Sequence, residues 1–552
     1  MIRRLRQAIP LVVVLALAAC TALPTSGPVV KSDVEVRDVG GIDQLPQGPQ
    51  PGAGPTDIVQ SFVIAGATGF QGNFVAAREF LAGDARQTWK PLDGVVVAGP
   101  LTYTETSATQ VSVDVSVLAR VDADGRYTEA PPDARESVTY DLVRDDEGEW
   151  RISGAPDGLI LQQAVFSNQF RSTSVYFASA DEKYLVPETR WFPVPVNQLP
   201  THVIKALLAG PSPWLRDAVT TAVPDGVSLS PEAVVVDDSG VARVNLAPTT
   251  AVLGADGGLL VAQIDASLLT LPGVGSVQVS GGGVILDSPD TLDQGNAANS
   301  KIEFLQADRL VSLDGNEVSP VSGVGSLDGL GLRWPARDES GSVRVGVSHG
   351  SSLVTLPVAG KASTTVLEGK DLVAPSVDRF GWAWTATAGG GLLAGRLGSK
   401  PVEIVAPFLD GRTVASVRVA RDGTRIAVVS EGQDGSTVMV GAVVRDSKGA
   451  PQQIGDVIQA GAAVSDVTSV VWSDESTLAV IGRRAGTLAV QTVPVSGPSA
   501  ALPAVADLSE LAGGPTTYVT TTGTTGVLQR YAGFSWTSVP GVTEALDPSY
   551  PG

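Results

Sequence analysis

The sequence predicts a multidomain protein in which two α+β domains precede an all-β C-terminal β-propeller. Three observations predict this class: apolar residues change from helical spacing to strict alternation within 56–165, strands and helices alternate within 166–295, and strand-like segments that follow an aspartate repeat through the last third. The chain of 552 residues is long enough for about three domains. The predicted organisation is a signal peptide at 1–19, a lipidated flexible tether at 20–55, an N-terminal α+β domain at 56–165, a second α+β domain at 166–295 and the β-propeller at 296–545.

The first twenty residues are typical of a secretory signal. Three arginines precede the apolar run Leu11–Ala18, which is far shorter than the ~20 residues that span a bilayer. The segment Leu17-Ala18-Ala19-Cys20 resembles the bacterial lipobox, and this resemblance implies that Cys20 is acylated and becomes the new N-terminus. The alternative is an ordinary signal peptide with a chance cysteine. Cys20 is the one cysteine of the chain, so no intrachain disulfide can form.

The charge balance excludes nucleic acid as a partner class. Removal of residues 1–19 leaves 552 − 19 = 533 residues and three fewer arginines, so the formal net charge changes from −20 to −23. Phosphate binding needs basic patches, and an acidic chain is also repelled by anionic lipid headgroups. We therefore expect a protein held at the extracytoplasmic face of the cell membrane by its N-terminal lipid, with its domains held off the bilayer by the proline-rich tether.

Residues 56–165 combine two helices with an antiparallel sheet. The first helix is predicted to begin at a Thr56-Asp57 cap and the second at Asn73. Valines alternate with polar residues over 111–117, and Asp124-Gly125 indicates a hairpin. This order of elements is similar in outline to NTF2-like domains.

Residues 166–295 alternate strands with helices. Thr201 is predicted to cap a helix, and Asp238-Ser239-Gly240 indicates a hairpin. The apolar face of a further helix is formed by Ile264, Leu268 and Leu269. The segments VYF, LVP, LLAGP, TAVPDG and VARVNL, in this order and spacing, resemble the GerMN domain found in spore-germination and envelope lipoproteins.

The last third repeats one unit, an aspartate turn followed by a strand pair. The turns contain Asp338, Asp378, Asp422 and Asp474, which are separated by 40, 44 and 52 residues. A period of ~40–50 residues made only of strands indicates β-propeller blades, since each unit cannot bury its apolar face alone. The length predicts five to six blades. A β-sandwich or unrelated hairpins are the alternatives.

One segment, Gly346-Val347-Ser348-His349-Gly350, matches the G-x-S-x-G elbow that holds the nucleophile of α/β-hydrolases. An elbow requires a helix after the serine, whereas an extended pattern continues after Gly350. The chain has two histidines: His349 adjoins the serine and His202 lies in another domain. Because Ser348 then has no general base, we predict a hairpin turn.

Turns and packing also account for the acidic and aromatic candidates. Asp122–Gly125 and Asp145–Glu149 are rich in carboxylates, but they coincide with hairpin turns and do not follow the order of a calcium loop. The propeller aspartates at 378, 422 and 474 are candidates for catalytic carboxylates in a channel, and their fixed place before each apolar strand favours turn capping instead. Trp382 and Trp384 face the same side of one strand, which indicates packing between blades or, alternatively, a platform for a ligand.

The residue types needed for most chemistry are scarce. Histidine and cysteine form no cluster that would bind zinc, and no glycine-rich loop between a strand and a helix is present to bind phosphate. We therefore predict no catalytic residue, no cofactor site and no metal site, and we expect a binding protein rather than an enzyme. A glycosidase based on paired carboxylates is the enzymatic alternative.

The order of a lipobox, a PTSGPV segment, an α+β domain, a GerMN-like domain and a propeller resembles the LpqB lipoproteins of actinobacteria. The resemblance implies a partner, the extracytoplasmic part of an MtrB-like sensor histidine kinase, and a role in the MtrA-dependent control of cell-envelope homeostasis and division. It carries over no catalytic residue and one modified residue, Cys20. The alternative function is a module that binds an envelope glycan or a peptidoglycan fragment.

Overall fold

The structure is a computed structural model that describes residues 47–194, 198–286, 291–294, 301–358, 360–514, 517–523 and 525–551. The predicted signal peptide, Cys20 and the tether up to residue 46 lie outside the described residues. Short parts of the predicted domain boundaries, at 287–290 and 295–300, also lie outside them.

The N-terminal domain packs helices on one mixed six-stranded sheet. Its strand order is β5-β4-β2-β1-β6 with β3 added beside β2, and only the β1–β6 pairing is parallel among the strands described here. The elements are α1 (Pro55–Ala67), α2 (Val75–Glu79), α3 (Ala85–Thr88), β1 (Gly94–Ser107), β2 (Gln110–Asp122), β3 (Tyr127–Glu129), β4 (Arg135–Arg144), β5 (Trp150–Gly154), β6 (Leu159–Gln162) and α4 (Gln163–Gln169).

The predicted helix caps of this domain are wrong by one or two residues. Helix α1 begins at Pro55 after Gly54, because proline at the first helical position lacks only an N–H that has no intrahelical partner. Asn73 adopts a left-handed conformation with φ 50°, and α2 begins two residues later. The predicted alternation is confirmed, since Val111, Val113 and Val115 are fully buried on β2.

In the described residues, the second domain combines four helices with a five-stranded sheet and a three-stranded sheet. The first sheet has the order β10-β12-β13-β14 with β11 beside β12, and the second has the order β8-β7-β9. The elements are β7 (Phe170–Ser179), β8 (Leu185–Pro193), α5 (Leu199–Leu208), α6 (Pro213–Arg216), β9 (Val219–Thr220), β10 (Ser228–Leu229), β11 (Val235–Val236), β12 (Val241–Ala247), α7 (Thr249–Leu253), α8 (Gly257–Leu268), β13 (Ser276–Gly281) and β14 (Val284–Ile285).

Two details of this domain differ from the sequence prediction. Thr201 lies inside α5 rather than at its cap, and its hydroxyl accepts a hydrogen bond from the Val234 amide at 3.0 Å. Leu269 follows the last residue of α8 and is exposed, whereas Ile264 and Leu268 are fully buried. Asp256 caps α8 by accepting from the Leu259 amide at 3.1 Å.

The C-terminal domain is a six-bladed β-propeller, at the upper end of the predicted blade count. Blade 1 combines β15, β16 and β17 with the last strand of the chain, β38, which pairs with β15 and closes the ring. Blades 2 to 6 are formed by β18–β21, β22–β25, β26–β29, β30–β33 and β34–β37, each running from the inside to the outside.

The propeller strands are β15 (Ile302–Gln306), β16 (Arg309–Asp314), β17 (Glu317–Pro320), β18 (Leu332–Arg337), β19 (Arg344–Ser348), β20 (Ser352–Thr355), β21 (Thr365–Glu368), β22 (Ser376–Val377), β23 (Ala383–Ala386), β24 (Leu392–Gly395), β25 (Val402–Ile404), β26 (Thr413–Val419), β27 (Arg425–Gly432), β28 (Gly435–Arg445), β29 (Pro451–Ala460), β30 (Ser465–Trp472), β31 (Thr477–Arg484), β32 (Thr487–Pro494), β33 (Ala500–Ala501), β34 (Leu508–Gly514), β35 (Thr517–Thr522), β36 (Leu528–Tyr531), β37 (Trp536–Ser538) and β38 (Leu546–Ser549).

The second domain and the propeller share one apolar core. Buried residues of the second domain, such as Leu207 and Trp214, belong to the same hydrophobic cluster as Val440 and Val480 of blades 4 and 5. The N-terminal domain has its own cluster, which contains no buried propeller residue in the described part of the chain. Burial of apolar area is the main favourable term in folding, so this shared cluster stabilises the contact between the second domain and blades 4 and 5.

The N-terminal domain is attached by close backbone contacts and polar side chains. The predicted hairpin at Gly125 lies against β8: the Trp191 amide donates to the Gly125 carbonyl at 2.7 Å. A Cβ on Gly125, whose φ is +84°, would lie 2.6 Å from the Trp191 carbonyl oxygen, so glycine is required there. Glu129 is buried and accepts from the Ser499 amide and hydroxyl at 3.1 and 2.8 Å.

Candidate functional site: the propeller channel

The six innermost strands, β38, β18, β22, β26, β30 and β34, surround a channel along the propeller axis. It contains a cavity of about 540 Å³ lined by residues of all six of these strands or the segments beside them. Ligand pockets in proteins are typically of this size and combine apolar walls with a few polar groups. Each of these six strands pairs antiparallel with the next strand of its blade.

Two arginines of blade 4 lie in the channel wall near the C-terminal end of β26. The guanidinium of Arg418 donates from Nη1 to the carbonyls of Val417, Ala374 and Pro375 at 2.8, 3.3 and 3.5 Å. The Nε of Arg421 is buried and has no hydrogen-bond acceptor in the described part of the chain. Within the same part, no carboxylate lies within 4.0 Å of either guanidinium, since all the ion pairs found involve other arginines and lysines.

Burial lowers the pKa of both guanidinium groups. Desolvation lowers the pKa of Arg418 to about 10. Desolvation also lowers the pKa of Arg421, and the carboxylates of Glu339 and Asp474 oppose this shift from a longer range. Both arginines remain cationic at neutral pH, so this part of the channel carries positive charge that no adjacent acid neutralises.

A second charged cluster lies toward the N-terminal ends of β18, β34 and β38. Arg333 forms a bidentate pair with Asp547, with Nε–Oδ2 and Nη2–Oδ1 distances of 2.6 and 2.8 Å. Glu510 accepts from the Asp547 amide at 2.8 Å and from the Thr521 hydroxyl at 3.0 Å. Burial and the adjacent Asp547 carboxylate raise the pKa of Glu510 to about 7. Acid and base compensate each other in this cluster, in contrast to the arginines of blade 4.

Aromatic and aliphatic side chains form much of the channel wall, which also contains hydroxyl side chains and the carboxylate of Asp371. Trp334, Trp472 and Tyr550 line it together with Leu372 and Leu511. Trp334 has φ +52°, and its amide donates to Asp547 at 2.9 Å, so the acidic cluster holds this residue in a left-handed conformation. The arrangement can accommodate a ligand that has an apolar body and one charged group.

The aspartates predicted as turn caps act as turn caps. Asp378 accepts from the amides of Phe380 and Trp382, both at 2.9 Å, and Asp474 accepts from those of Ser476 and Thr477 at 2.8 and 2.7 Å. Asp422 accepts from the Thr424 amide at 2.7 Å. Each carboxylate therefore replaces backbone hydrogen bonds that the turn leaves unmade.

The acidic hairpins follow the same design. Asp122 accepts from the amides of Asp124 and Arg126 at 3.1 and 2.9 Å, and Asp145 accepts from those of Glu147 and Glu149 at the same two distances. Carboxylate oxygens that already bind the amides of their own turn are directed at the backbone. These segments are hairpin turns, as predicted from the sequence.

Ser348 and the two tryptophans of blade 3 are structural. The Ser348 hydroxyl donates to the Leu330 carbonyl at 2.7 Å, and residues 348–352 turn from β19 to β20. His349 adopts φ +49° in that turn. Trp382 and Trp384 are buried in the cluster between blades 3 and 4, and the Trp384 indole N–H donates to Asp378 at 2.8 Å. The packing interpretation of these tryptophans is confirmed.

Sequence reasoning missed the channel residues. Arg418 and Arg421 are two of the many arginines in the chain, and Glu510 and Asp547 come from strands that no motif marks. The signal that could have found Arg418 is a charged residue within the apolar alternation of β26, between Val417 and Val419, at a position that points toward the propeller axis.

Three family models match the chain in the order of its domains. They are the N-terminal domain of lipoprotein LpqB over residues 48–167, a sporulation and spore germination domain over 174–287, and the β-propeller domain of lipoprotein LpqB over 308–551. The fold thus defines a class: multidomain lipoproteins in which a germination-type domain is joined to a β-propeller.

Similar proteins identify the family within that class to which this chain belongs. The chain is 30% identical to lipoprotein LpqB of Streptomyces coelicolor over 89% of this chain and 88% of that protein. It is 28% identical to lipoprotein LpqB of Thermobifida fusca, with 85% and 86% covered. The chain belongs to the LpqB lipoprotein family, as its domain order predicted.

Similarity to solved structures is weaker. A nidogen–laminin complex aligns with a TM-score of 0.33 and 10% identity, covering 46% of this chain and 94% of that one, which is too low to support an argument. The names of the matched families and relatives indicate no catalytic activity. Among the described residues, no helix has the length and apolar character required to cross a membrane.

Proposed function

We propose that this protein is a lipid-anchored lipoprotein on the extracytoplasmic face of the cell membrane that binds and modulates a sensor histidine kinase of the MtrAB type. The kinase would be contacted through its extracytoplasmic part, and the output would be control of cell-envelope homeostasis and division. Membership of the LpqB family supports the choice of partner, and the lipobox that ends at Cys20 supports the anchor.

The observation that carries this proposal is the union of the second domain with the propeller. Tyr176 donates to Glu475 of blade 5, and Arg425 of blade 4 donates to the Pro187 carbonyl at 3.3 Å. Arg379 of blade 3 pairs with Asp181, with an Nη1–Oδ2 distance of 2.8 Å. These contacts add to the shared apolar core and make one rigid surface from two domains. Rigid surfaces bind partners with a small loss of conformational entropy.

The net charge adds a physical expectation about the partner. A chain whose formal charge is −20 before removal of residues 1–19 and −23 after it attracts a basic surface and repels an acidic one. We therefore expect association with the kinase ectodomain to weaken as the salt concentration rises, chiefly through a slower association rate. Salt-independent binding would argue against an electrostatic contribution.

The test is crosslinking in living cells, followed by identification of the captured partners. We expect the wild-type protein to capture a sensor kinase, and the captured amount to survive enzymatic removal of envelope glycans. Recovery of glycan fragments without any membrane protein would contradict the proposal and support the alternative, an envelope glycan-binding module.

A matched variant, Cys20→Ala, tests the anchor separately. We expect this variant to leave the membrane fraction while its purified form still binds the kinase ectodomain. The reason is that the lipid and the surface that contacts the kinase are separate parts of the chain. Retention in the membrane fraction with normal processing would show that Cys20 is not the anchor.

A further inference from the structure

We infer that the propeller channel is a binding site for a small organic anion, whose carboxylate or phosphate group is held by Arg418 and Arg421. This inference is independent of the proposed kinase partner, because it concerns the interior of one domain. The ligand class is a molecule with an apolar body and one oxyanion.

The first argument is the hydrogen-bonding state of the two arginines. The hydrogen bonds found for the Arg418 guanidinium in the described residues all come from Nη1 and go to backbone carbonyls, so no acid uses its charge. Arg421 buries an Nε that has no partner in the same residues. A buried donor without an acceptor is costly, and an oxyanion supplies the planar pair of acceptors that a guanidinium binds best.

The second argument is a comparison with the other buried arginines of the propeller. Arg425 pairs with Asp422 at 2.6 Å, Arg445 pairs with Asp378 at 2.6 Å, and Arg337 pairs with Glu303 at 3.1 Å. The fold thus neutralises its structural arginines with adjacent acids, as burial of charge requires. Arg418 and Arg421 line the cavity without such an acid, so their counter-charge is expected from a ligand.

The third argument is the wall around them. Val419, Val471 and Trp472 lie in the same cavity as the two guanidinium groups, and its volume of about 540 Å³ is that of a small-molecule site. An apolar body packed on these side chains lowers the local dielectric constant, which strengthens the ion pair at the arginines. Glu510 and Asp547 line the same cavity, where Asp547 is already paired with Arg333.

The test uses three probes that share one apolar body: 1-naphthyl phosphate, 1-naphthoate and uncharged 1-naphthol, each titrated into the full-length protein by calorimetry. We expect saturable binding of one or both anions and at least about tenfold weaker binding of 1-naphthol. Preference for the phosphate or for the carboxylate identifies which of the two anions the site takes. Equal binding of all three probes, or no anion binding up to about 10 mM, would overturn the inference.

Substitutions at the two arginines test whether the anion binds in the channel. Arg421→Gln and Arg418→Gln are each expected to weaken anion binding about ten- to a hundredfold, because each removes a charged donor. Arg309→Gln, on the exposed face of β16, is the matched control and should bind like the wild type. Circular dichroism verifies folding, and if Arg418→Gln does not fold, Arg421→Gln alone decides. Unchanged affinity in Arg421→Gln would assign the anion to another place and overturn the inference.

Discussion

Arg421 and Arg425 flank the same turn of blade 4, and the fold uses them in opposite ways. Arg425 is buried, pairs with Asp422 and reaches the Pro187 carbonyl of the second domain. Arg421 lines the channel, and its buried Nε has no partner in the described chain. The cations on the side of blades 3 to 5 that faces the second domain are therefore paired with acids, whereas Arg418 and Arg421 in the channel have no adjacent acid in the described residues.

This difference predicts which substitutions change the stability of the fold and which change ligand binding. The contact between the second domain and the propeller, which we call the docking face, combines a shared apolar core with neutralised charges. The channel combines aromatic walls with two arginines, Arg418 and Arg421, that have no adjacent acid in the described residues. Substitutions at the docking face should change stability, and substitutions in the channel should change binding, so each of the following variants sharpens or breaks the comparison.

The largest effect is expected from Trp214→Ala at the docking face. Trp214 is almost fully buried on α6, which packs on β28 and β29 of blade 4. Truncation of a buried tryptophan costs about 3–5 kcal/mol, and the loss should reach both domains because their core is continuous. Hydrogen exchange should show lost protection in α8 and in β29 together.

Phe80→Ala is the control for this variant. Phe80 is fully buried in the separate N-terminal cluster, so its truncation should lower protection in the N-terminal domain alone. If Trp214→Ala left the hydrogen-exchange protection of blade 4 unchanged, the docking face would not act as a shared core.

The paired variants Arg425→Gln and Arg421→Gln test the opening comparison directly. Arg425→Gln leaves the buried Asp422 carboxylate without its cation and should lower the free energy of unfolding by about 3 kcal/mol. Arg421→Gln removes a charge that has no adjacent acid, so we expect a change within about 1 kcal/mol. Urea denaturation of both variants measures the difference. Equal losses would show that the channel arginine is structural.

A smaller effect is expected where the N-terminal domain meets blade 5. Glu129→Ala leaves the Ser499 amide and hydroxyl without their acceptor, at a cost of about 2 kcal/mol. Exchange of the Tyr127 amide, which donates to the Ser496 hydroxyl at 2.9 Å, should become faster as the contact loosens. Glu147→Ala, in an exposed hairpin of the same domain, should leave this amide unchanged. Slow exchange in Glu129→Ala would mean that the backbone contacts at Gly125 suffice.

The smallest effect is expected from Glu510→Gln in the channel. The pKa of Glu510, raised to about 7 by burial and by Asp547, exceeds that of an unfolded glutamate, about 4.3. Such a group stabilises the fold fully below the unfolded pKa, and this stabilisation is lost as the pH rises through 7. The variant should therefore lack this pH dependence and be more stable than the wild type at pH 8, with Arg333 still paired to Asp547.

Thermal unfolding of Glu510→Gln at pH 5 and pH 8 measures this difference. Glu317→Gln, on an exposed strand, is the control and should follow the wild type at both values. A variant that is less stable than the wild type at pH 8 would show that the Glu510 carboxylate is stabilised rather than strained by its neighbours.

Local patterns predicted much of the architecture. The turn aspartates and the alternating valines of β2 were correctly assigned because each depends on residues a few positions apart. The predictions of helix caps were less accurate. Threonine is a common cap residue, but the Thr201 hydroxyl accepts a hydrogen bond from the distant Val234 amide. Local sequence does not distinguish a hydroxyl that caps its own helix from one that binds elsewhere.

The amino-acid sequence by itself determined the strand units, their turns, the family and the absence of a base for Ser348. Each of these depends on the periodicity or the type of residues, which can be read without knowing the tertiary contacts. Only the tertiary structure decided that β38 closes six blades, that the second domain shares its core with blades 4 and 5, and that Arg418 and Arg421 line one channel with no carboxylate within 4.0 Å of either guanidinium in the described residues. These features join residues that are far apart in sequence, and whether a buried charge is neutralised depends on every element packed around it.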